Sequence, residues 1–392
     1  MNLTITSDER YPGLDALRVC AAVVVVATHA SMAYLTTFPS AAMWPVHEPG
    51  SGVAADVFFL YSRGTAMQVF LATAGFLSAH AGARLGAEAF LRRRMIRLGA
   101  PFLVGLLVVV PLMYGMWLWG AWRTDSPRYE DVLEIRYDAM DATGLVGPAH
   151  LWYLEYLALY TVFLAWWLRR ASIRRASPAK ARGMRMVGVA LLFGGALVGT
   201  HWLLPDLIAD FRNAFLPSPV YFAYNGLFFA LGVVLWRRRD VLARASRYAW
   251  PLLLVAHGSF ALWIGAVWTD AIPEQWRPMV SACGAAFCSV CSVGGWLGLA
   301  TRERSMSVGC RTWLRRAAEA TLTIYVVHLP VVFAVHVALW RTPMPMTMKW
   351  LLATAAGVLG GIAAHRGLDM AREWVLTRRR GAEEAIVPPQ PA

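Results

Sequence analysis

Apolar residues in this chain fall into long blocks that are separated by short polar segments. Ten of these blocks approach the ~20 residues that an α-helix needs to cross a bilayer. The predicted spans cover residues 14–36, 64–83, 98–119, 149–168, 187–204, 218–236, 249–268, 278–300, 319–340 and 347–366. The pattern predicts an all-α polytopic membrane protein, a bundle of about ten transmembrane helices.

The composition and the charge support the same class. Hydrophobic residues make up 58% of the 392 residues, and the mean hydropathy of +0.47 is far above that of a soluble domain. The net charge of +13 is divided among short basic runs between the apolar blocks, which is typical of cytoplasmic loops. We therefore expect the lipid bilayer as a partner, no nucleic acid, and both termini in the cytoplasm.

The same pattern divides the chain into three parts. Residues 1–13 are expected to form an N-terminal cytoplasmic tail, residues 14–366 a membrane domain, and residues 367–392 a basic, disordered cytoplasmic tail. The first apolar block has no cleavage pattern of a secretory signal and is interpreted as a retained span. The five cysteines indicate neither a disulfide nor a zinc site, so we expect no metal.

The stretch "RVCAAVVVVATH" places Arg18 and His29 in the first span. The eleven residue steps from Arg18 to His29 correspond to ~1100° of rotation, which is ~20° more than three full turns, and to a rise of ~16 Å. The two side chains therefore lie on one face of the helix. Ionisable groups within a membrane are costly and usually line a cavity. A neutral histidine there can accept a proton from a hydroxyl group, and an arginine can bind an anion. A structural role for the histidine remains an alternative on these grounds alone.

Four further motifs follow along the chain. "MQVFLATAGF" covers residues 67–76, and "FLRRRMIRLGAP" covers residues 90–101, where Arg94 and Arg97 are three residues apart. "HLWYL" opens the fourth span at His150, and "LTIYVVHLP" covers residues 322–330 in the ninth.

In this order and spacing, the motifs resemble those of the integral-membrane O-acyltransferases of acyltransferase family 3. The likeness extends over about residues 11–366 and is nearest to the glucan biosynthesis protein C type, which succinylates periplasmic glucans. The family's R-x(10)-H motif falls on Arg18 and His29, which implies that both are catalytic residues and that His29 is the base. Its R-x-x-R motif falls on Arg94 and Arg97, which implies that they bind the acyl donor, with Arg93 beside them.

The remaining motifs imply a pocket for the acceptor. Its expected residues are His150, Trp152, Tyr153, Glu155, Tyr325 and His328. Two positions depart from the family pattern, since Ala74 replaces a serine before Gly75 and Glu155 replaces an apolar residue. Because of Glu155, the motifs do not determine the identity of the acceptor.

The resemblance implies an O-acyltransferase in the bacterial inner membrane. It would move an acetyl or succinyl group from cytoplasmic acyl-coenzyme A, a co-substrate rather than a resident cofactor, onto a hydroxyl group of an extracytoplasmic glycan. The hypothesis also includes partner proteins of polysaccharide biosynthesis. A transporter or flippase of an anionic or lipid-linked substrate, and a non-catalytic partner in polysaccharide assembly, are the alternatives.

Overall fold

The computed structural model describes residues 11–36, 44, 46–48, 52–124, 147–173, 184–203, 215–302 and 306–386. Within these residues the chain forms helices and no β-strand, which confirms the predicted all-α class. The α-helices are α1 (Pro12–Ser31), α2 (Val53–Leu85), α3 (Ala87–Val104), α4 (Val110–Arg123), α5 (Trp152–Ile173), α6 (Met184–Leu203), α7 (Pro219–Arg237), α8 (Arg239–Arg247), α9 (Ala249–Trp268), α10 (Arg277–Ala300), α11 (Val308–Leu339) and α12 (Met346–Ile386).

Each of the ten predicted spans coincides with a helix in the described part of the chain. Eight of the helical segments found there are long and apolar enough to cross a membrane. They are Pro12–Tyr34, Ala87–Arg123, Ala149–Arg170, Pro219–Arg237, Ala249–Ala266, Glu274–Ala300, Val308–Leu339 and Met346–Arg378. The predicted second and fifth spans are helical as α2 and α6 but are not among these eight. The chain is a multi-pass membrane protein.

Two helices begin well before the spans that hydropathy predicts. Helix α2 begins at Val53 rather than near residue 64. Helix α3 begins at Ala87 rather than near residue 98, and it continues through a π-helical turn, Gly105–Val109, into α4. Hydropathy marks only the apolar part of a helix, whereas backbone hydrogen bonding extends into its polar ends. Both polar extensions contribute arginines to the site described below.

Residues 367–386, which the sequence placed in the disordered tail, continue helix α12 in the structure. Neighbouring side chains along the helix stabilise this extension. The carboxylate of Asp369 pairs with His365 one turn before it and with Arg372 three residues after it, and the Arg378 guanidinium lies 4.0 Å from the centroid of the Trp374 ring. Residues 387–392 of the expected tail lie outside the described residues.

Helix α1 packs against α2, α11 and α12, which hold its turn around His29 from several sides. The Thr28 hydroxyl donates to Ser62 Oγ of α2 at 2.7 Å, and the Trp350 indole of α12 donates to the Ala27 carbonyl at 2.9 Å. Gly361 permits α12 to approach α11 closely.

The turn that follows α1 and a short segment beyond it cover the end of the bundle nearest His29. We call the described residues 32–36, 44 and 46–48 the cap segment. Lys349 of α12 binds Glu48 at 2.8 Å, and both side chains are buried. Trp44 stacks on Phe333 of α11 at a centroid distance of 4.2 Å, and its indole donates to His336 Nδ1 at 3.1 Å. The cap segment is therefore anchored to both α11 and α12.

Candidate active site

Three arginines line a cavity of about 270 Å³ between the first turns of α1 and the middle of α3. We call it the arginine cavity. Its lining residues are Asp15, Arg18, Phe70, Ala74, Leu77, Arg94, Arg97, Leu98, Tyr153, Leu157, Thr321, Leu322 and Tyr325. Three guanidinium groups facing one cavity, with one carboxylate among them, favour an anionic ligand.

Arg18 is held in this cavity by its own helix and by α11. Its Nη1 donates to Asp15 Oδ1 at 3.3 Å, while Nη2 donates to the Ala318 carbonyl at 3.1 Å and to Thr321 Oγ1 at 3.4 Å. These bonds leave part of the guanidinium facing the cavity, because Arg18 has five N–H donors.

Arg94 and Arg97 reach the same cavity from α3, as their spacing predicts. Residues three apart lie on neighbouring positions of one helix face. Arg93, which was expected to bind the donor with them, is exposed and does not line the cavity. Successive residues are rotated by ~100° around the helix axis, so the Arg93 side chain points in a different direction from that of Arg94.

His29 lines a second and smaller cavity of about 30 Å³, enough for about one or two water molecules. We call it the histidine cavity. The lining residues are Val25, Thr28, His29, Ser62, Arg63, Ala66, Met67, His150, Trp152 and Tyr325. Tyr325 lines both cavities and therefore forms part of the wall between them.

The hydrogen bonds of His29 determine which of its ring nitrogens is basic. Its Nδ1 lies 2.9 Å from the Val25 carbonyl, which can only accept, so Nδ1 carries the hydrogen. The Nδ1 atom of His328 likewise donates to the Tyr325 carbonyl at 2.8 Å. His328 Nε2 then presents a lone pair to His29 Nδ1 at 3.1 Å. Within the described residues His29 Nε2 has no hydrogen-bond partner, and in the neutral ring it holds the available lone pair.

His150 joins this group from the turn before α5. Its Nε2 donates to the Val326 carbonyl of α11 at 2.9 Å, and its backbone carbonyl accepts the Tyr325 hydroxyl. The ring lies perpendicular to that of His328 at a centroid distance of 5.4 Å. His150 and Trp152 thus both line the histidine cavity.

The other two residues predicted on α5 lie elsewhere. Tyr153 lines the arginine cavity rather than the histidine cavity. Glu155 lines neither, and its buried Oε2 has no hydrogen-bond partner among the described residues. Tyr153 and Glu155 lie ~200° apart around the helix axis, so their side chains point in nearly opposite directions. Glu155 lies only ~60° from Trp152 but one turn farther along the helix, and there it lines neither cavity.

Sequence reasoning missed Arg63, Ser62 and Thr28, which line the histidine cavity. Arg63 immediately precedes the predicted second span and was therefore excluded from it. Helical spacing could have found it, because Arg63 is one turn before Met67, which lines the same cavity.

The described part of the chain contains no group of three or more His, Cys, Asp or Glu side chains that could bind a metal ion.

Comparison with known proteins shows the family to which the chain belongs. A sequence model of acyltransferase family 3, described as an acyltransferase domain, matches residues 11–366. No curated protein and no solved structure matches the chain significantly. The family match includes both cavities and covers nearly the whole chain, so this multi-pass membrane protein belongs to acyltransferase family 3 and is an O-acyltransferase.

Proposed function

We propose that the enzyme transfers an acetyl or succinyl group from cytoplasmic acyl-coenzyme A to a hydroxyl group of an extracytoplasmic glycan, with His29 as the general base. A periplasmic glucan is the acceptor that the motifs favour, and the bacterial inner membrane is the expected location. The observation that carries the proposal is that His29 lines a cavity, lies on the same helix as Arg18, and has an Nε2 with no hydrogen-bond partner within the described residues.

The arginine cavity supports an anionic donor. Coenzyme A carries several phosphates, and Arg18, Arg94 and Arg97 present the planar, permanently charged donors that bind phosphate well. The helical rise from Arg18 to His29 is ~16 Å. A long, thin pantetheine arm suits this separation, because it can leave the phosphates among the arginines while the thioester reaches His29.

The histidine cavity supports proton transfer from a hydroxyl group. As the acceptor oxygen attacks the thioester carbonyl carbon, His29 Nε2 takes its proton, and the carbon–sulfur bond then breaks. The proton passes from the imidazolium to the leaving sulfur. General-base catalysis of this kind contributes typically about 10²–10⁴-fold.

The local contacts favour direct transfer over an acyl-enzyme. The hydroxyl groups of Ser62 and Thr28 lie in the same cavity but donate to other oxygens. Within the described residues, no serine, threonine or cysteine side chain is hydrogen-bonded to His29, so no nucleophile is paired with the base.

Mass spectrometry of envelope glycans tests the proposal. A deletion strain is complemented with the wild-type chain, with H29Q, or with the control H257Q, which changes a histidine on α9 outside both cavities. We expect acetyl or succinyl esters with the wild type and H257Q but not with H29Q, although H29Q reaches the membrane in equal amount. Wild-type ester levels in H29Q would exclude His29 as the base. Identical glycans in the deletion strain and the complemented strain would exclude the acceptor.

A further inference from the structure

Arg63 brings a permanent positive charge to the histidine cavity. It follows Ser62 on α2, and Ser62 Oγ accepts the Thr28 hydroxyl at 2.7 Å. Because Thr28 precedes His29 on α1, this bond fixes the two helices with Arg63 and His29 beside one another. Both side chains line the cavity, and the Arg63 guanidinium lies 5.3 Å from the centroid of the Phe59 ring.

The hydroxyl and imidazole donors around this cavity are hydrogen-bonded to neighbouring oxygens. The Ser62 hydroxyl donates to a carbonyl of its own helix, and the Thr28 hydroxyl lies within reach of a carbonyl and of Ser62. The His150 ring donates to a carbonyl of α11, and the Tyr325 hydroxyl donates to the His150 carbonyl. Arg63 has five N–H donors and is the permanently charged group in the lining.

The proposed reaction creates a negative charge at this place. When the acceptor oxygen bonds to the thioester carbon, the electron pair of the carbonyl moves onto its oxygen. In a water-poor cavity, a fixed donor facing that oxygen stabilises the charge more strongly than it would in water. His29 serves as the base, so the charge must be met by another residue.

We infer that Arg63 is a catalytic residue that binds the thioester carbonyl oxygen and stabilises the oxyanion of the tetrahedral intermediate. The inference rests on the proposed function. The intermediate collapses when the oxyanion restores the carbonyl and the carbon–sulfur bond breaks. His29 then returns the proton to sulfur, so atoms and charge balance without a further reactant.

Steady-state kinetics of the full chain in lipid nanodiscs test this role. Acetyl- and succinyl-coenzyme A serve as donors, and glycan extracted from the deletion strain serves as acceptor. We expect R63M to lower kcat by about 10²–10³-fold, the usual cost of losing an oxyanion donor. The KM for acyl-coenzyme A should change by less than about twofold, since the interaction belongs to the transition state. R63K should retain more activity than R63M.

The matched control is R84M, which removes an exposed arginine from the last turn of the same helix and should leave both constants unchanged. If R63M does not insert into the membrane, R63Q and R63K provide the comparison. Infrared spectra of a bound, isotope-labelled thioester give a second measurement, because Arg63 should shift the carbonyl stretch to lower frequency than in R63M.

A kcat of R63M near the wild-type value, or equal carbonyl frequencies, would overturn the inference. A rise in KM for succinyl-coenzyme A with kcat unchanged would also overturn it, because Arg63 would then bind the acyl carboxylate. If R63M is active and H29Q is inactive, Arg63 does not stabilise the oxyanion, but the proposed function stands. If the wild-type chain itself transfers no acyl group, the proposed function is wrong.

Discussion

The Nε2 atom of His328 lies 3.1 Å from the Nδ1 atom of His29, and this contact joins the first and ninth predicted spans. The His328 ring is fully buried, and its own Nδ1 is fixed by carbonyls of α11. His328 therefore acts as a hydrogen-bond acceptor that orients the His29 ring from its Nδ1 side, opposite the Nε2 atom.

Replacing His328 should slow catalysis without weakening donor binding. In H328L the Val25 carbonyl still accepts the His29 Nδ1 hydrogen, so the tautomer is retained and only the ring orientation loosens. We expect kcat to fall by about 10- to 100-fold, the usual effect of removing a group that orients a functional histidine. The Kd for acyl-coenzyme A should stay the same.

H328Q is the informative companion, because its amide oxygen can still accept the hydrogen from His29. It should recover a substantial part of the activity lost in H328L. Equal activities of the two variants would indicate that His328 contributes only packing.

Removal of either cavity arginine of α3 should weaken binding of the donor. In R94A and R97A one charged hydrogen-bond donor is lost, which costs about 1.5–3 kcal/mol, or about tenfold or more in the Kd for acyl-coenzyme A. The measurement is equilibrium binding of labelled acyl-coenzyme A to the detergent-purified chain.

Arg93 supplies a control from the same helix, since it is exposed and outside the arginine cavity. R93A should bind the donor as the wild type does. If R93A lost as much affinity as R94A, the donor would be held by the general positive charge of this surface rather than by the cavity.

Helix periodicity predicted which residues of the R-x(10)-H and R-x-x-R motifs lie on the same face of a helix. Arg18 and His29 were expected on one face, and in the structure both contact α11, through Thr321 and His328 respectively. The spacing of Arg94 and Arg97 placed both in one cavity in the same way. Such predictions need only the ~100° rotation per residue.

The sequence could not predict which helices lie beside one another. Ten spans imply that the first and ninth run in the same direction, but the contact between His29 and His328 joins residues 299 positions apart. Hydropathy also excluded Arg63 from α2, because the apolar block begins after it. Glu155 was assigned to the pocket by its neighbours in the sequence, whereas it lies one helical turn beyond Trp152 and lines neither cavity.

The ion pair between Glu48 and Lys349 should stabilise the cap segment. The two side chains are only 8% and 3% exposed, so K349M leaves a buried carboxylate without its partner. Breaking a buried pair in this way typically costs about 3–5 kcal/mol of unfolding free energy. We expect a clearly lower thermal unfolding midpoint of the detergent-purified chain. Acylation should fall as well, because the Trp44 ring of the cap segment stacks toward His29 at a centroid distance of 6.5 Å.

The double variant E48Q/K349M should regain much of the lost stability, since it leaves no buried charge unpaired. D240N is the matched control, because it breaks an ion pair with Arg238 that is exposed to solvent, and it should leave the unfolding midpoint unchanged. A midpoint of K349M equal to that of D240N would mean that the cap segment is held by its aromatic contacts. A double variant less stable than K349M would mean that Glu48 stabilises the fold through groups other than Lys349.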